Sequence, residues 1–436
     1  MWRKGLKRLK EAYPKTCLSL FCMGLGQFLY GQKLKGITFF LAEVVYLTYF
    51  VSRGYRDMCD FFTLGTQKAD TWLGIVGDNS IVILLMGILS FLFIMVFVSI
   101  YWMNIKDVFA VEEQIKRGKK LPDFKQEWAR LVDQKFPIFI LTLPVLGILV
   151  FSVLPILFMI LIAFTNYGGK IVPPELVDWV GIDNFIKIIS LTQFAPTFFK
   201  VLSWNVLWAV LSTSLNYFGG LVLALLFSNK RVRGKTIWRA FPILAYAIPG
   251  FISLLAFKFM FSYGGPINQL IQDFGHKAIG FLDVDAKWSA RLIGLFVNAW
   301  IGIPSIMLLA TGMLSNRDES LYEAAKIDGA SQWVQFTKIT LPYILTATTP
   351  VLIGQFVGNF NNFGIFYFLR GGLYLDDYFL ASDTDLLINW LYNLSIDNNY
   401  YSIGASISLI IFIITSVISL AVYVRTSSYK EGGRFS

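Results

Sequence analysis

S-L-Y-E-A-A-K-I-D-G-A-S-Q-W-V-Q-F-T-K-I-T-L-P, running from Ser320 to Pro342, has a definite local geometry written into it. Ser320 followed by Glu323 has the spacing of a capping box, so a helix is expected to start there. Leu321, Ala324, Ala325 and Ile327 give that helix its apolar character. Gly329 can adopt the left-handed conformation that ends a helix. Ser331 can cap a second helix, which is expected to stop near Pro342 because the residue before a proline is pushed out of the helical region. The stretch therefore predicts a short helix, a sharp glycine turn and another helix. Its small apolar residues suit docking into a groove on a partner.

On either side of this stretch lie long apolar runs. Hydrophobic residues make up 56% of the 436-residue chain and charged residues only 15%, with a mean hydropathy of +0.59. A soluble domain carries about 25% charged residues. The apolar residues gather into runs near the roughly 20 residues that cross a bilayer as a helix. Eight spans are expected, at about 36–52, 81–103, 137–164, 203–228, 239–262, 291–313, 344–368 and 401–424. The apolar segment Cys17–Tyr30 is short and glycine-rich, and reads as interfacial or re-entrant and as retained in the protein.

Charge orients these spans. With the N-terminus inside, 27 of the 38 Lys and Arg residues fall in 1–35, 104–136, 229–239, 314–343 and the tail, against 9 in outside loops. This follows the positive-inside rule, with both termini cytoplasmic. It also accounts for the net charge of +10 without nucleic acid as a partner. Two parts are expected: 1–135, with two spans and a basic linker, and 136–436, with six spans and the quoted loop within 314–343. Pro144, Pro155, Pro249, Pro304 and Pro350 lie within or near spans, as packing kinks or as hinges beside a translocation path.

Several classes find little support. Cys17, Cys22 and Cys59 form no CxxC pair and there is one His, which argues against a disulfide framework, a zinc site or a haem site. No nucleophile constellation stands out. Gly234-Lys235-Thr236 has the end of a phosphate-binding loop, but Asn229 stands where its first glycine is needed. The chain thus needs an external source of energy. A secondary transporter would be expected to show a repeat and buried coupling acids; Glu43 is the main acid in a span, expected to pair or to lie near the interface. Lys258 reads as a snorkelling side chain and His276 as surface.

Glu323-Ala324-Ala325, Asp328-Gly329-Ala330, Phe336, Ile339 and Leu341-Pro342 resemble, with their spacing, the EAA loop of ABC importer membrane subunits. W-I-G-I-P at Trp300–Pro304, A-Y-A-I-P at Ala245–Pro249 and F-N-N-F-G at Phe360–Gly364 are similar to the MalF-like subunits of maltose and maltodextrin importers. The resemblance covers roughly 136–436, and the basic N-terminal extension resembles that of longer Gram-positive members. The large insertion between the third and fourth spans of Gram-negative members is replaced by about 165–202. The resemblance implies an all-α membrane protein of eight transmembrane helices with the type I ABC importer permease fold, in the bacterial inner membrane. It implies that Glu323, Ala324, Ala325, Asp328, Gly329 and Ala330 couple to an ATPase dimer. That dimer, not this chain, would bind ATP and Mg. It further implies a second EAA-bearing permease subunit, an extracellular sugar-binding lipoprotein and an oligosaccharide substrate. The chain itself would be no enzyme and would hold no cofactor or metal.

By the same resemblance, Tyr246, Gly302, Asn359 and Asn362 match sugar-contacting positions. Ser305, Gln355 and Gly358 occupy equivalent positions where the Gram-negative member has Tyr, Ser and Phe, and the smaller residues at 305 and 358 leave room for a longer or bulkier glycan. Read from the residues alone, Gln355, Asn359 and Asn362 fall at i, i+4 and i+7 on one helix face. Polar side chains inside a membrane face a cavity or another helix, so sugar binding and interhelical hydrogen bonding both fit.

Overall fold

The computed structural model describes residues 12–424, apart from 71, 123–125, 127, 128, 130–132, 134, 135, 230, 231 and 316–318. Seven helices among these residues are long and apolar enough to cross a membrane. They are Lys33–Thr63 (span 1), Ser80–Lys116 (span 2), Ile140–Ile162 (span 3), Ala195–Ser228 (span 4), Lys287–Ser315 (span 6), Gln332–Arg370 (span 7) and Tyr401–Val424 (span 8). Span 5 is the pair Lys235–Ala247 and Gly250–Met260, bent by 97°. The eight expected runs thus each have a helical counterpart, but the fifth is not the continuous rod expected over 239–262. Ile248 is extended at ψ 131°, as a residue before proline prefers. Pro249 is extended too at ψ 129°, and the helix restarts at Gly250.

By packing, the chain divides into two compact units at Gly181. In the first, spans 1 to 3 are joined by two short helices, Pro14–Phe21 and Leu25–Leu29, neither long enough to cross a bilayer. Polar side chains hold this N-terminal segment to spans 1 and 2. The Gln27 amide donates to Asn104 Oδ1 at 3.0 Å and to Asp107 Oδ2 at 3.2 Å, and accepts from Ser19 Oγ at 2.9 Å. Glu43 accepts the Met23 N–H at 2.8 Å, and Lys35 pairs with Asp107 at 2.6 Å. Span 2 has 37 residues, about 55 Å at 1.5 Å per residue, well beyond the roughly 30 Å of hydrocarbon. Its charged last turns therefore project out, with Glu112 paired to Lys116 and Glu113 to Arg117.

The second unit holds spans 4 to 8. Trp204 and Trp208 of span 4, Val297 of span 6, Phe366 of span 7 and Leu254 of span 5 form one of its cores. The segment between spans 7 and 8 is ordered by a buried polar network. Arg370 pairs with Asp383 at 2.6 Å, both nearly inaccessible. Its other guanidinium nitrogens donate to the Leu282 carbonyl at 3.2 Å and the Asp283 carbonyl at 2.7 Å. Arg291 lies 3.9 Å from the Trp204 ring and donates to the Asp383 carbonyl. The Asp385 carboxylate accepts from the Ser382 N–H at 2.9 Å and from Asn393 at 3.3 Å. Burial outweighs those donors and pushes its pKa up to about 6.

The quoted stretch departs from expectation in two places. Its first helix runs Glu319–Ile327, so Ser320 lies inside it and is not its cap; the residues that precede it fall outside the described set. Its second helix does not stop near Pro342. Gln332–Gln335 passes through a wide π-helical turn, Phe336–Thr340, into Leu341–Phe360. Pro342 falls in the first turn after that widening, where its missing N–H is tolerated.

Candidate functional site

Span 7 is interrupted near its end. Leu341–Phe360 closes at Asn361, and a short helix, Phe363–Arg370, follows. A helix end leaves carbonyls without intrahelical donors, and in a membrane no water is at hand to satisfy them. Span 4 supplies the donors: Trp208 Nε1 reaches the Asn359 carbonyl and Asn205 Nδ2 the Phe360 carbonyl, each at 3.0 Å. Asn362 caps the next helix, its Oδ1 accepting the Ile365 N–H at 3.3 Å. The Asn-Asn pair of F-N-N-F-G is thus a built helix break.

A cavity of about 530 Å³ opens beside the break, within the range of small-ligand pockets. Spans 4, 6 and 7 line it with Asn216, Asn298, Ile301, Gly302, Val351, Gly354, Gln355, Gly358, Asn359 and Asn362. Five of these carry carboxamides and none is charged. Of the residues singled out in the sequence, Gly302, Gln355, Gly358, Asn359 and Asn362 come together here. Two do not line the cavity. Ser305 turns its hydroxyl back onto the Gly302 carbonyl at 2.8 Å, and Tyr246 sits on the first half of span 5 with 57% of its surface exposed.

The amides are tied to one another. Asn298 is the centre, donating to Asn359 Oδ1 at 3.4 Å and accepting from Asn362 Nδ2 at 3.1 Å. Asn359 Nδ2 donates to Thr213 Oγ1 at 3.0 Å. Interhelical bonding is therefore present at both asparagines. It leaves Gln355 Oε1 and Asn216 Oδ1 buried without a hydrogen-bond partner. Asn216 and Asn298 were missed in the sequence; the signal was there, since a lone amide inside an apolar span needs a partner.

The loop between spans 6 and 7 is the second candidate. Gly329 has φ +78°, the left-handed conformation expected of it. The Ala330 N–H donates to the Ala325 carbonyl at 2.9 Å and the Gly329 N–H to the Lys326 carbonyl at 3.1 Å. Those two bonds make a Schellman motif. Ser331 caps the next helix through the Val334 N–H at 3.3 Å, as expected. Gln335 and Tyr322 brace the turn, bonding the Ala330 carbonyl at 2.9 Å and the Thr340 hydroxyl at 2.9 Å. Glu323, Ala324 and Asp328 are exposed, and Ile327 (86%) and Trp333 (70%) stand almost free. A rigid turn thus presents an unpartnered apolar surface.

Comparison with known proteins points in one direction. Residues 216–427 match the family model described as binding-protein-dependent transport system inner membrane component. The chain is 34% identical over 412 residues to the galactooligosaccharides transport system permease protein GanP of Bacillus subtilis, covering 94% of this chain and 96% of that one. It is 33% identical over 438 residues to the maltodextrin transport system permease protein MalC of Streptococcus pneumoniae, covering 98% and 99%. The maltose/maltodextrin permease MalF of Klebsiella aerogenes is 34% identical over 262 residues, 58% of this chain and 50% of that one. Among solved structures, a bacterial ABC transporter that imports the acidic polysaccharide alginate shares the fold, with a TM-score of 0.55 at 21% identity, covering 68% of this chain and 96% of that one.

Proposed function

Because the chain belongs to the binding-protein-dependent transport system inner membrane components, the membrane-spanning permease subunits of ABC importers, we propose that it carries a neutral oligosaccharide of the maltodextrin class across the cell membrane. Permease subunits of this family are not themselves enzymes. The cavity at the break in span 7 carries the reading on the substrate. Its carboxamides both donate and accept, as sugar hydroxyls require, and its uncharged lining offers no counter-ion to an acidic glycan. The substrate contacts are Gln355, Gly358, Asn359 and Asn362, with Asn298 joining them, and Gly302 shapes the wall beside them. Tyr246 of span 5 and Ser305 of span 6 do not line the cavity and are not among its contacts. The full-length similarity to GanP favours a second reading, a galactooligosaccharide in the same cavity.

The energy comes from a partner. The apolar surface at Ile327 and Trp333, beside the turn at Gly329, seats in a groove of an ATPase subunit that binds ATP and Mg, with Glu323, Ala324, Ala325, Asp328 and Ala330 forming the docking helix and turn. A second permease subunit completes the path, and an extracellular sugar-binding protein loads it. Residues 136–436 form the six-span transport core and 1–135 an extension to it. Both termini are cytoplasmic, so a cysteine replacing Lys326 labels only from inside and one replacing Trp72 only from outside; the opposite pattern overturns the orientation. Uptake decides the substrate. The transporter, reconstituted with its ATPase, second permease and binding protein, should accumulate labelled maltodextrins when ATP is supplied. Preference for an acidic glycan, or no uptake of any neutral one, removes the proposal.

A further inference from the structure

Span 4 contributes to the cavity a residue that the sequence motifs do not mark. Asn216 is 3% exposed and lines the cavity wall. Its side-chain oxygen is buried without a hydrogen-bond partner. A buried unpaired carbonyl is costly, and doubly so inside a membrane, where water cannot reach it from the lipid side. Gln355 Oε1, on span 7 and lining the same cavity, is unpaired in the same way. The amides of Asn298, Asn359 and Asn362, by contrast, are bonded together.

The position of Asn216 is itself prepared. A Cβ added at Gly302 of span 6 would lie 2.3 Å from Asn216 Nδ2, 2.5 Å from its Cγ and 2.7 Å from Oδ1. The carboxamide therefore lies flat on the Gly302 backbone, and no larger residue fits there without displacing it. Such close approach is what glycine permits at a helix interface. A glycine in a cavity wall would otherwise simply enlarge the cavity. Here the space it leaves is already filled by an amide.

We propose that Asn216 is a further substrate-contacting residue, presenting its free acceptor to a sugar hydroxyl, and that Gly302 is its positioning residue. The inference rests on the reading of the cavity as a glycan site. A hydroxyl donates as well as accepts, so one hydroxyl can satisfy the Asn216 carbonyl, and a second that of Gln355. A chain with hydroxyls along its length suits such a pair; an apolar or purely acceptor ligand would leave both unsatisfied.

The test uses the whole transporter in proteoliposomes, with labelled maltotriose, maltotetraose and a galactooligosaccharide. Asn216→Ala should lower transport per assembled complex roughly 5- to 150-fold, the loss of one buried hydrogen-bond partner. Thermal stability should not fall, since the variant removes an unpaired carbonyl, and sugar affinity of the separate binding protein should stay unchanged. Gly302→Ala should also lower transport, because the new methyl displaces the carboxamide. In the Asn216→Ala background that methyl meets no amide, so the double variant should transport no worse than Asn216→Ala alone. A further loss there shows that Gly302 touches the sugar directly and overturns its positioning role. Wild-type transport by Asn216→Ala, or lost stability with full transport per assembled complex, overturns the role of Asn216 while the glycan reading stands. A wild-type transporter that moves none of the three sugars overturns both.

Discussion

Replacing Asn362 by alanine removes two interactions of different kinds. Its Oδ1 caps the helix Phe363–Arg370, and its Nδ2 bonds Asn298 across to span 6 at 3.1 Å. A cap is worth about 1 kcal/mol, and an interhelical hydrogen bond in a membrane about 0.6 kcal/mol. Asn362→Ala should therefore destabilise the second unit by about 1.6 kcal/mol. Serine caps as well as asparagine but is too short to reach Asn298. Asn362→Ser should lose only about 0.6 kcal/mol. If the residue also contacts sugar, both variants should lose transport roughly 5- to 150-fold, irrespective of their difference in stability. Thermal unfolding of the extracted complex and uptake per assembled complex, measured on the same preparations, keep the two effects apart. Equal destabilisation by Ser and Ala would refute the capping argument. Wild-type uptake by both would refute sugar contact and leave Asn362 a structural residue.

Gly329→Val places a β-branched residue at φ +78°, which costs about 1–2 kcal/mol and disturbs the Schellman turn. Membrane insertion should survive while sugar-dependent ATP hydrolysis and transport come apart, and transport at the wild-type rate would sink the docking role. Gly358 faces open space, with nothing within 4 Å of an added Cβ. Gly358→Phe should therefore fill part of the cavity and shift uptake toward shorter glycans; an unchanged length profile would remove position 358 from the site. Asp385 has its folded pKa raised from 3.8 to about 6, so between these values the folded form holds the extra proton. The contribution of this group to stability should then be full below about pH 4, fall by roughly 3 kcal/mol as pH rises through about 6, and stay lost above it. Asp385→Asn should flatten that profile in hydrogen exchange of residues 382–393, and an unaltered profile would assign the titration elsewhere.

The spans were legible because a membrane imposes length and apolarity on each run independently. So was the turn at Gly329, where a few adjacent residues determine the backbone. What required distant partners was not. Pro249 could not be told from Pro144, Pro304 or Pro350 by sequence, yet only at Pro249 does the helix bend sharply; the others stay inside their helices. The expectation of a stop at Pro342 treated proline as a breaker, whereas a wide turn just before it absorbs the change. The network around Arg370 and Asp383 was invisible because it draws on Arg291 and Trp204, some 90 to 180 positions away. In the cavity, motif resemblance found four span 7 residues and Gly302 of span 6, which sit together, but not Asn298. It passed over Asn216, whose importance lies in the glycine it rests against.

The sharp bend in span 5 constrains how this protein is made. Its two arms have 13 and 11 residues, about 20 and 16 Å of helix. Neither reaches across roughly 30 Å of hydrocarbon. During synthesis the segment enters lipid before spans 6 and 7 exist. A broken helix at that moment would expose bare peptide groups to acyl chains. Pro249 has no N–H, so even a straight helix through this segment would leave a carbonyl unbonded. The two arms pack on spans 6 and 7, so the shape of span 5 depends on parts of the chain translated after it.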